Sequence, residues 1–160
     1  QLGAAEIKGV ETSFAWVGET GSLQWPVQVA YTYTDAQITK DSDDLEFLDG
    51  DRYPYIPENH FFTRAGIVGQ RGWDVYLSAN YVDAMCVNFA CDRDGVDNTF
   101  NKTDAYWIFD FVTHCQINDT AQVYFKLDNM LDTQEITSRS PAGARPNKPR
   151  TAYLGLSLAF

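Results

Sequence analysis

The sequence predicts an all-β chain, an antiparallel up-and-down segment of a transmembrane β-barrel. Three observations predict it. Apolar and polar residues alternate along seven segments separated by turn signals. The connections between those segments alternate strictly between short and long. Aromatic residues gather in two rows on one parity of the segments, with aliphatic residues between them.

The segments follow in order. The first covers about Ala5 to Val17 and closes at "GETGS". The second covers about Trp25 to Lys40, where Val27, Val29, Tyr31 and Tyr33 oppose Gln28, Ala30, Thr32 and Thr34. A long acidic stretch, "DSDDLEFLDGDRYPYIPEN", follows it. The third covers about His60 to Val68 and closes at "GQRG". The fourth covers about Trp73 to Val87, with Trp73, Val75, Leu77, Ala79 and Tyr81 opposite Asp74, Tyr76, Ser78 and Asn80. "NFACDRDGVDNTFNKT" follows. The fifth covers about Asp104 to Ile117 and closes at "NDT". The sixth covers about Ala121 to Thr137, with Val123, Phe125 and Leu127 opposite Gln122, Tyr124, Lys126 and Asp128. "RSPAGARPNKPR" leads to the last, "TAYLGLSLAF", in which Leu154, Leu156, Leu158 and Phe160 share one parity. Every short connection falls at one end, the pattern of tight periplasmic turns and long outer loops. No segment reads as a helix.

Periodicity alone leaves the direction of the apolar parity open, because a soluble barrel would turn it inward. Aromatic placement points outward. Trp16, Trp25, Trp73 and Phe160 lie beside short turns or the last residue, whereas Tyr33, Phe61, Tyr81 and Trp107 lie toward the long loops. Trp25 to Tyr33 and Trp73 to Tyr81 are each eight residues apart. At about 3.4 Å per residue and a tilt near 40°, eight residues span roughly 21 Å of height, close to the apolar band of about 25 Å in such barrels. A single dry core has no reason to sort its aromatics into two rows.

Composition limits the partners. The 160 residues carry a formal charge of −10, with 44% hydrophobic and 14% aromatic residues; the pI is near 4.4 and the mean hydropathy −0.33. Phosphate contacts need a basic surface, so nucleic acid is excluded as a partner. No apolar run approaches the roughly 20 residues of a transmembrane helix. The chain begins "QLGAAEIKGV", without an initiator Met, a basic n-region or an h-region, and is expected to be a mature segment or a piece of something longer. Seven strands fit poorly with the even counts of closed bacterial barrels, and an open sheet in lipid leaves unsatisfied edges. The expectation is therefore the C-terminal portion of a larger barrel.

The stretch Lys126 to Phe160, "KLDNMLDTQEITSRSPAGARPNKPRTAYLGLSLAF", resembles the C-terminal signature of TonB-dependent outer-membrane receptors: an asparagine-containing strand, an Arg/Pro/Gly-rich loop, and a last strand ending in Phe. "KGVETSFAW", "VQVAYTYTDAQI", "YIPENHFFTRAGI" and "LSANYVDAM" resemble the preceding strands of such receptors, with the closest flavour in the ferric-dicitrate-type branch. The resemblance implies that residues 1–160 are the last seven strands of a 22-stranded barrel, without plug domain or earlier strands. It implies the bacterial outer membrane and its lipid as surroundings. It implies a ferric chelate (ferric citrate or a siderophore) as ligand, and the rest of the barrel, the plug and the TonB complex as partners. It makes Phe160 the end read by the barrel-assembly machinery. Two other classes stand beside it: a complete small outer-membrane barrel with a structural or adhesive role, and a soluble lipocalin-like binding barrel.

Chemistry-bearing residues are few. His60 and His114 sit near opposite strand ends, and no catalytic set, phosphate loop or Cys/His metal spacing accompanies them, so no enzyme is expected. "CVNFAC" suggests a Cys86–Cys91 bridge. A fourth–fifth hairpin with paired numbers summing near 191 would put Cys115 opposite about Tyr76, some ten residues or roughly 33 Å from Cys86, whereas a disulfide needs Cα atoms within about 7 Å. Cys115 is expected to be free on the apolar parity. Asp41, Asp43, Asp44, Glu46, Asp49 and Asp51 crowd one loop, and Asp92, Asp94, Asp97 and Asn98 another. Such oxygens suit Ca²⁺, but the Gly of "DRDGVDN" is at the fourth position, not the sixth, and solvated outer loops are the simpler reading. The sequons at Asn101 and Asn118 read as chance. Arg139, Arg145, Lys148 and Arg150 form a basic loop. Arginine forks match the carboxylates of anionic chelates, which makes Arg139, Arg145 and Arg150 candidate ligand residues. The alternative, favoured because the loop follows the superfamily pattern, is that they pin the last loop to the wall through carboxylates. Asp74, Asn80, Asp110, Lys126 and Asp128 read as wall and plug contacts.

Overall fold

The computed structural model describes residues 4–41, 48–141 and 143–159. The described strands are β1 (Ala4–Thr20), β2 (Leu23–Lys40), β3 (Asn59–Gly69), β4 (Trp73–Val82), β5 (Tyr106–Asn118), β6 (Ala121–Asp128), β7 (Ile136–Ser138), β8 (Arg145–Pro146) and β9 (Thr151–Leu158). Seven of them form one sheet in the order β1-β2-β3-β4-β5-β6-β9, and β7 pairs with β8 in the last long connection. All pairings are antiparallel between neighbours in sequence. No helix occurs among the described residues.

The short turns carry their own chemistry. Gly21, at a φ of 61°, lets β1 reverse within two residues. The Asn118 side-chain oxygen accepts from the amides of Thr120 and Ala121 at 2.9 Å each, closing the β5–β6 turn. At the opposite end lie three long connections, over residues 41–58, 83–105 and 129–150.

Cross-strand pairing sorts the side chains into two faces. One carries Trp16, Val27, Ala65, Leu77, Phe111, Leu127 and Ala152 in a single row across the strands. This face is open in the seven-strand sheet. Leu154, Leu156 and Leu158 are 82%, 61% and 51% exposed, so the apolar residues meet no dry centre; Phe160 lies outside the described residues. Phe14, Trp16, Trp25, Trp73, Leu77 and Trp107 are exposed with them. The hydrophobic residues that are buried are few and mostly small: Ala36, Ile38, Ala79, Cys86 and Cys91. An apolar face of this size suits a lipid surrounding.

The described aromatic residues of the row toward the long connections gather on this face. Trp107 lies 5.9 Å from Phe61, 5.0 Å from Tyr81 and 6.0 Å from Phe109, ring centre to ring centre. Just beyond it the Tyr31 hydroxyl donates to Asn59 at 2.7 Å, and Asn59 donates to Asp83 at 2.8 Å. Polar partners thus begin where the aromatic row ends, as at a membrane interface.

Three expectations need correction. The β4–β5 register pairs Trp73 with Cys115, a sum of 188 rather than 191, and the isolated bridge Cys86–Lys102 keeps the same register. The tight "NDT" turn and the β3–β4 turn set the strand ends, which periodicity cannot locate to a residue. The fourth segment stops at Val82 rather than Val87, and the sixth at Asp128 rather than Thr137, with Ile136–Ser138 a separate strand. Asn129, at a φ of 50°, breaks the latter ladder.

Candidate functional site

The second face of the sheet is the wall of the barrel interior. Gln28, Arg64, Ser78 and Asp110 pair across β2 to β5. Arg64 stacks on the Tyr76 ring at 3.8 Å, a contact the guanidinium plane favours. His114 Nδ1 and Asp74 Oδ1 are 2.8 Å apart, and His60 Nε2 is 2.8 Å from the Asn80 oxygen. Asp128 lies between the ammonium groups of Lys126 and Lys148, at 2.8 and 2.9 Å. Lys148 also donates to the Tyr153 hydroxyl. Of the expected wall residues, Lys126 and Asp128 are brought together, whereas Asp74 and Asn80 each meet a histidine and Asp110 accepts from the Asn129 amide at 2.8 Å. Neither histidine is joined to a nucleophile in these contacts.

The described parts of the three long connections meet in one rim. Residues 50–53 run back along β2: Gly50 N donates to Ile38 O, Ile38 N to Asp51 O and Tyr53 N to Ala36 O, at 2.8 to 2.9 Å. The Asp51 carboxylate, only 7% exposed, accepts from Arg93 of the next connection, Nε at 2.9 Å. The Arg93 hydrogen bond holds the Asp51 carboxyl below its ordinary pKa. The neighbouring Arg52 guanidinium bonds Glu58 at 2.8 Å and comes within 3.8 Å of Asp92, and Lys102 reaches Asp92 at 2.7 Å. Hydrogen bonding to Glu58 raises the Arg52 pKa, and the Thr99 hydroxyl lowers that of Asp97. Asp51, Glu58 and Asp92 are thus held by cations and Asp97 by a hydroxyl, whereas Asp41 accepts from the Asp49 amide at 2.7 Å. Asp43, Asp44 and Glu46 lie outside the described residues.

Cys86 and Cys91 are joined, with Cα atoms 5.5 Å apart and both residues buried. Asp92 brings a carboxylate beside the two sulfurs, but a disulfide offers no thiolate to a metal. Cys115 is free and exposed on the lipid-side face opposite Trp73.

The predicted arginines part company. Arg139 is drawn into the rim: its Nε donates to the Lys102 carbonyl at 2.7 Å and its Nη2 to the Thr99 carbonyl at 3.2 Å, and it sits 5.7 Å from the Phe100 ring. The partners are carbonyls, not the carboxylates expected of a pinning role. Arg145 lies exposed in β8, and the Arg150 guanidinium is 4.0 Å from Asp132. The three are not gathered around one point by any of these contacts. Phe160 is outside the described residues.

Two residues carry more of this site than sequence reasoning assigned them. Tyr55, at a φ of 60°, donates its amide to Cys86 O at 2.9 Å and accepts at its hydroxyl from Arg139 N at 3.2 Å. Asn129, 2% exposed, accepts from Thr133 N and donates to the Thr133 and Lys148 carbonyls. The "DN" that ends a regular alternation was the available signal for Asn129. Nothing in "RYPYIP" marked Tyr55 from its neighbours.

The family profile described as "TonB dependent receptor-like, beta-barrel" matches residues 1–130. The chain belongs to that family. Solved structures share the fold. It is similar to the siderophore receptor PiuA of Acinetobacter baumannii at 18% identity and a TM-score of 0.76, over 98% of this chain and 22% of PiuA. It is similar to the ferric-catecholate import receptor Fiu of E. coli K12 in its closed form at 25% identity and a TM-score of 0.75, over 100% of this chain and 22% of Fiu. It is similar to the outer-membrane transporter YddB of Escherichia coli at 11% identity and a TM-score of 0.73, over 98% of this chain and 25% of YddB. The chain therefore spans about a quarter of the length of each. No curated protein matches it by sequence. A TonB-dependent receptor barrel wall accounts for both faces of the sheet: one bare and apolar, the other polar and internally paired.

Proposed function

We propose that this chain is the C-terminal, seven-strand part of the barrel of an outer-membrane, TonB-dependent uptake receptor for a ferric chelate. The observation that carries the reading is the family match over residues 1–130, joined to a likeness that runs the whole length of the chain against a ferric-catecholate receptor. In this reading the bare apolar face meets outer-membrane lipid, the paired polar face borders a plug domain, and the outer rim forms one side of the mouth where ligand is captured. The plug, engaged by the TonB complex, does the moving; this chain supplies wall and rim and breaks no bonds. Within the ferric chelates we favour a siderophore over ferric citrate. The likeness to a ferric-catecholate receptor over the whole chain supports that choice.

The experiment is iron uptake by cells that depend on the full-length receptor. ⁵⁵Fe-citrate and ⁵⁵Fe-loaded catecholate siderophore are supplied with and without a functional TonB. TonB-dependent accumulation of the siderophore complex is the expected result. Uptake of neither chelate, in cells that carry the assembled receptor, would overturn the assignment.

A further inference from the structure

We propose that Arg139 is a positioning residue which, with Tyr55, binds the three outer connections into one unit, so that this side of the mouth keeps a single shape while ligand enters and leaves. The inference rests on reading the outer rim as the mouth where ligand is captured.

The contacts at Arg139 reach all three connections. The residue belongs to 129–150; its guanidinium donates to Lys102 O and Thr99 O of 83–105, and its amide donates to the Tyr55 hydroxyl of 41–58. Tyr55 in turn ties its own connection to the base of 83–105 through Cys86 O. The left-handed conformation at Tyr55, unfavourable for a side chain of this size, is held where these bonds meet. Two further links run beside the clasp. Arg93 bonds Asp51 across the first two connections, and Asp104 both donates its amide to Ile136 O at 2.8 Å and accepts from Ile136 N at 2.7 Å across the last two. Opening one connection alone would leave half-buried donors and acceptors of the others without these partners.

The arrangement gives the guanidinium a task other than the ligand role suggested by its charge. Its Nε and Nη2 already serve two carbonyls, with an aromatic ring 5.7 Å away, so that edge of the fork is occupied. Arg145, exposed on the same connection, is free of that constraint.

The test uses the full-length receptor on intact cells treated with external trypsin, reading cleavage after Arg93 and Lys102. Arg139→Ala should raise cleavage there about tenfold or more, the loss expected when bonds worth about 0.5–1.5 kcal/mol each are removed from a local opening equilibrium. Arg139→Lys should give an intermediate rise, and Arg145→Ala none. Heat-modifiable migration on gels verifies barrel assembly. Should Arg139→Ala fail to assemble, Tyr55→Phe deletes only the hydroxyl and should still raise cleavage several-fold. Saturating the wild type with ferric siderophore should not accelerate cleavage. If Arg139→Ala weakens ligand binding while cleavage stays at the wild-type rate, the residue is a ligand contact and the proposal fails. Unchanged cleavage in both Arg139→Ala and Tyr55→Phe, or faster cleavage on adding ligand, overturns it equally. A receptor that binds no ferric chelate would refute the uptake reading alone, because the cleavage comparison needs no ligand.

Discussion

An arginine at position 77 separates a lipid-facing wall from any soluble arrangement of the same strands. Leu77 is 47% exposed and lies four residues from Trp73 and four from Tyr81. At about 3.4 Å per residue and a tilt near 40°, that places it roughly 10 Å in height from either aromatic row, the middle of the apolar band. An arginine at the midplane of such a barrel costs about 2–4 kcal/mol, whereas the same change on a water-exposed strand stays within about 0.5 kcal/mol. The folding equilibrium constant should therefore fall by roughly 30- to 1,000-fold. The assay is denaturant titration of the full-length receptor folding into lipid vesicles. Ile117→Arg is the control, because Ile117 is exposed beside the β5–β6 turn, outside the lower row; its cost should be at most about 1 kcal/mol. If Leu77→Arg folds as well as wild type, or costs no more than Ile117→Arg, this face does not meet the centre of a bilayer and the orientation is wrong.

Asn129→Ala should destabilise the barrel by about 2–4 kcal/mol, since it removes three side-chain hydrogen bonds at a buried site and leaves two carbonyls and an amide to find other partners; thermal migration shifts of the assembled receptor would measure it. Asn129→Gly, which relieves only the backbone conformation, should not rescue the loss. Gly155→Ala should cost about 1–3 kcal/mol, because an added Cβ would lie 2.1 Å from the Tyr124 ring, and Gly155→Ala paired with Tyr124→Ala should be less than the sum of the two single changes. The Asp51–Arg93 link predicts a pH dependence of the rim. With its pKa held below the ordinary 3.8, Asp51 contributes stability that is present above that value and lost as pH falls below it through the depressed one. Hydrogen exchange of amides 48–58 should accelerate across that acid window in the wild type, and Asp51→Asn should abolish this part of the pH dependence.

Much of the fold could be read before any coordinates. Val27, Val29, Tyr31 and Tyr33 share a face because a strand's side chains alternate with period two. The two aromatic rows were visible because their spacing is a property of the chain and the bilayer together. Exact register was not legible: the turns, not the alternation, decide it, and a slip of three leaves Cys115 against Trp73 instead of Tyr76. The rim was the least legible part. Arg139 and Arg145 look alike in "SRSPAGARP", and charge alone drew both toward a ligand.

The sequence by itself determined the number of strands in the sheet and which residues share a face, and its aromatic rows pointed to a membrane. These follow from local periodicity and from the free energy of transferring side chains between water and lipid, which need no partner to be specified. Only the tertiary structure decided which groups complete one another at the rim. Tyr55, Cys86 and Arg139 are separated by tens of residues, and hydrogen bonds act only across about 3 Å. Their meeting is set by how three connections cross over the end of the sheet, and no periodicity in the chain records it.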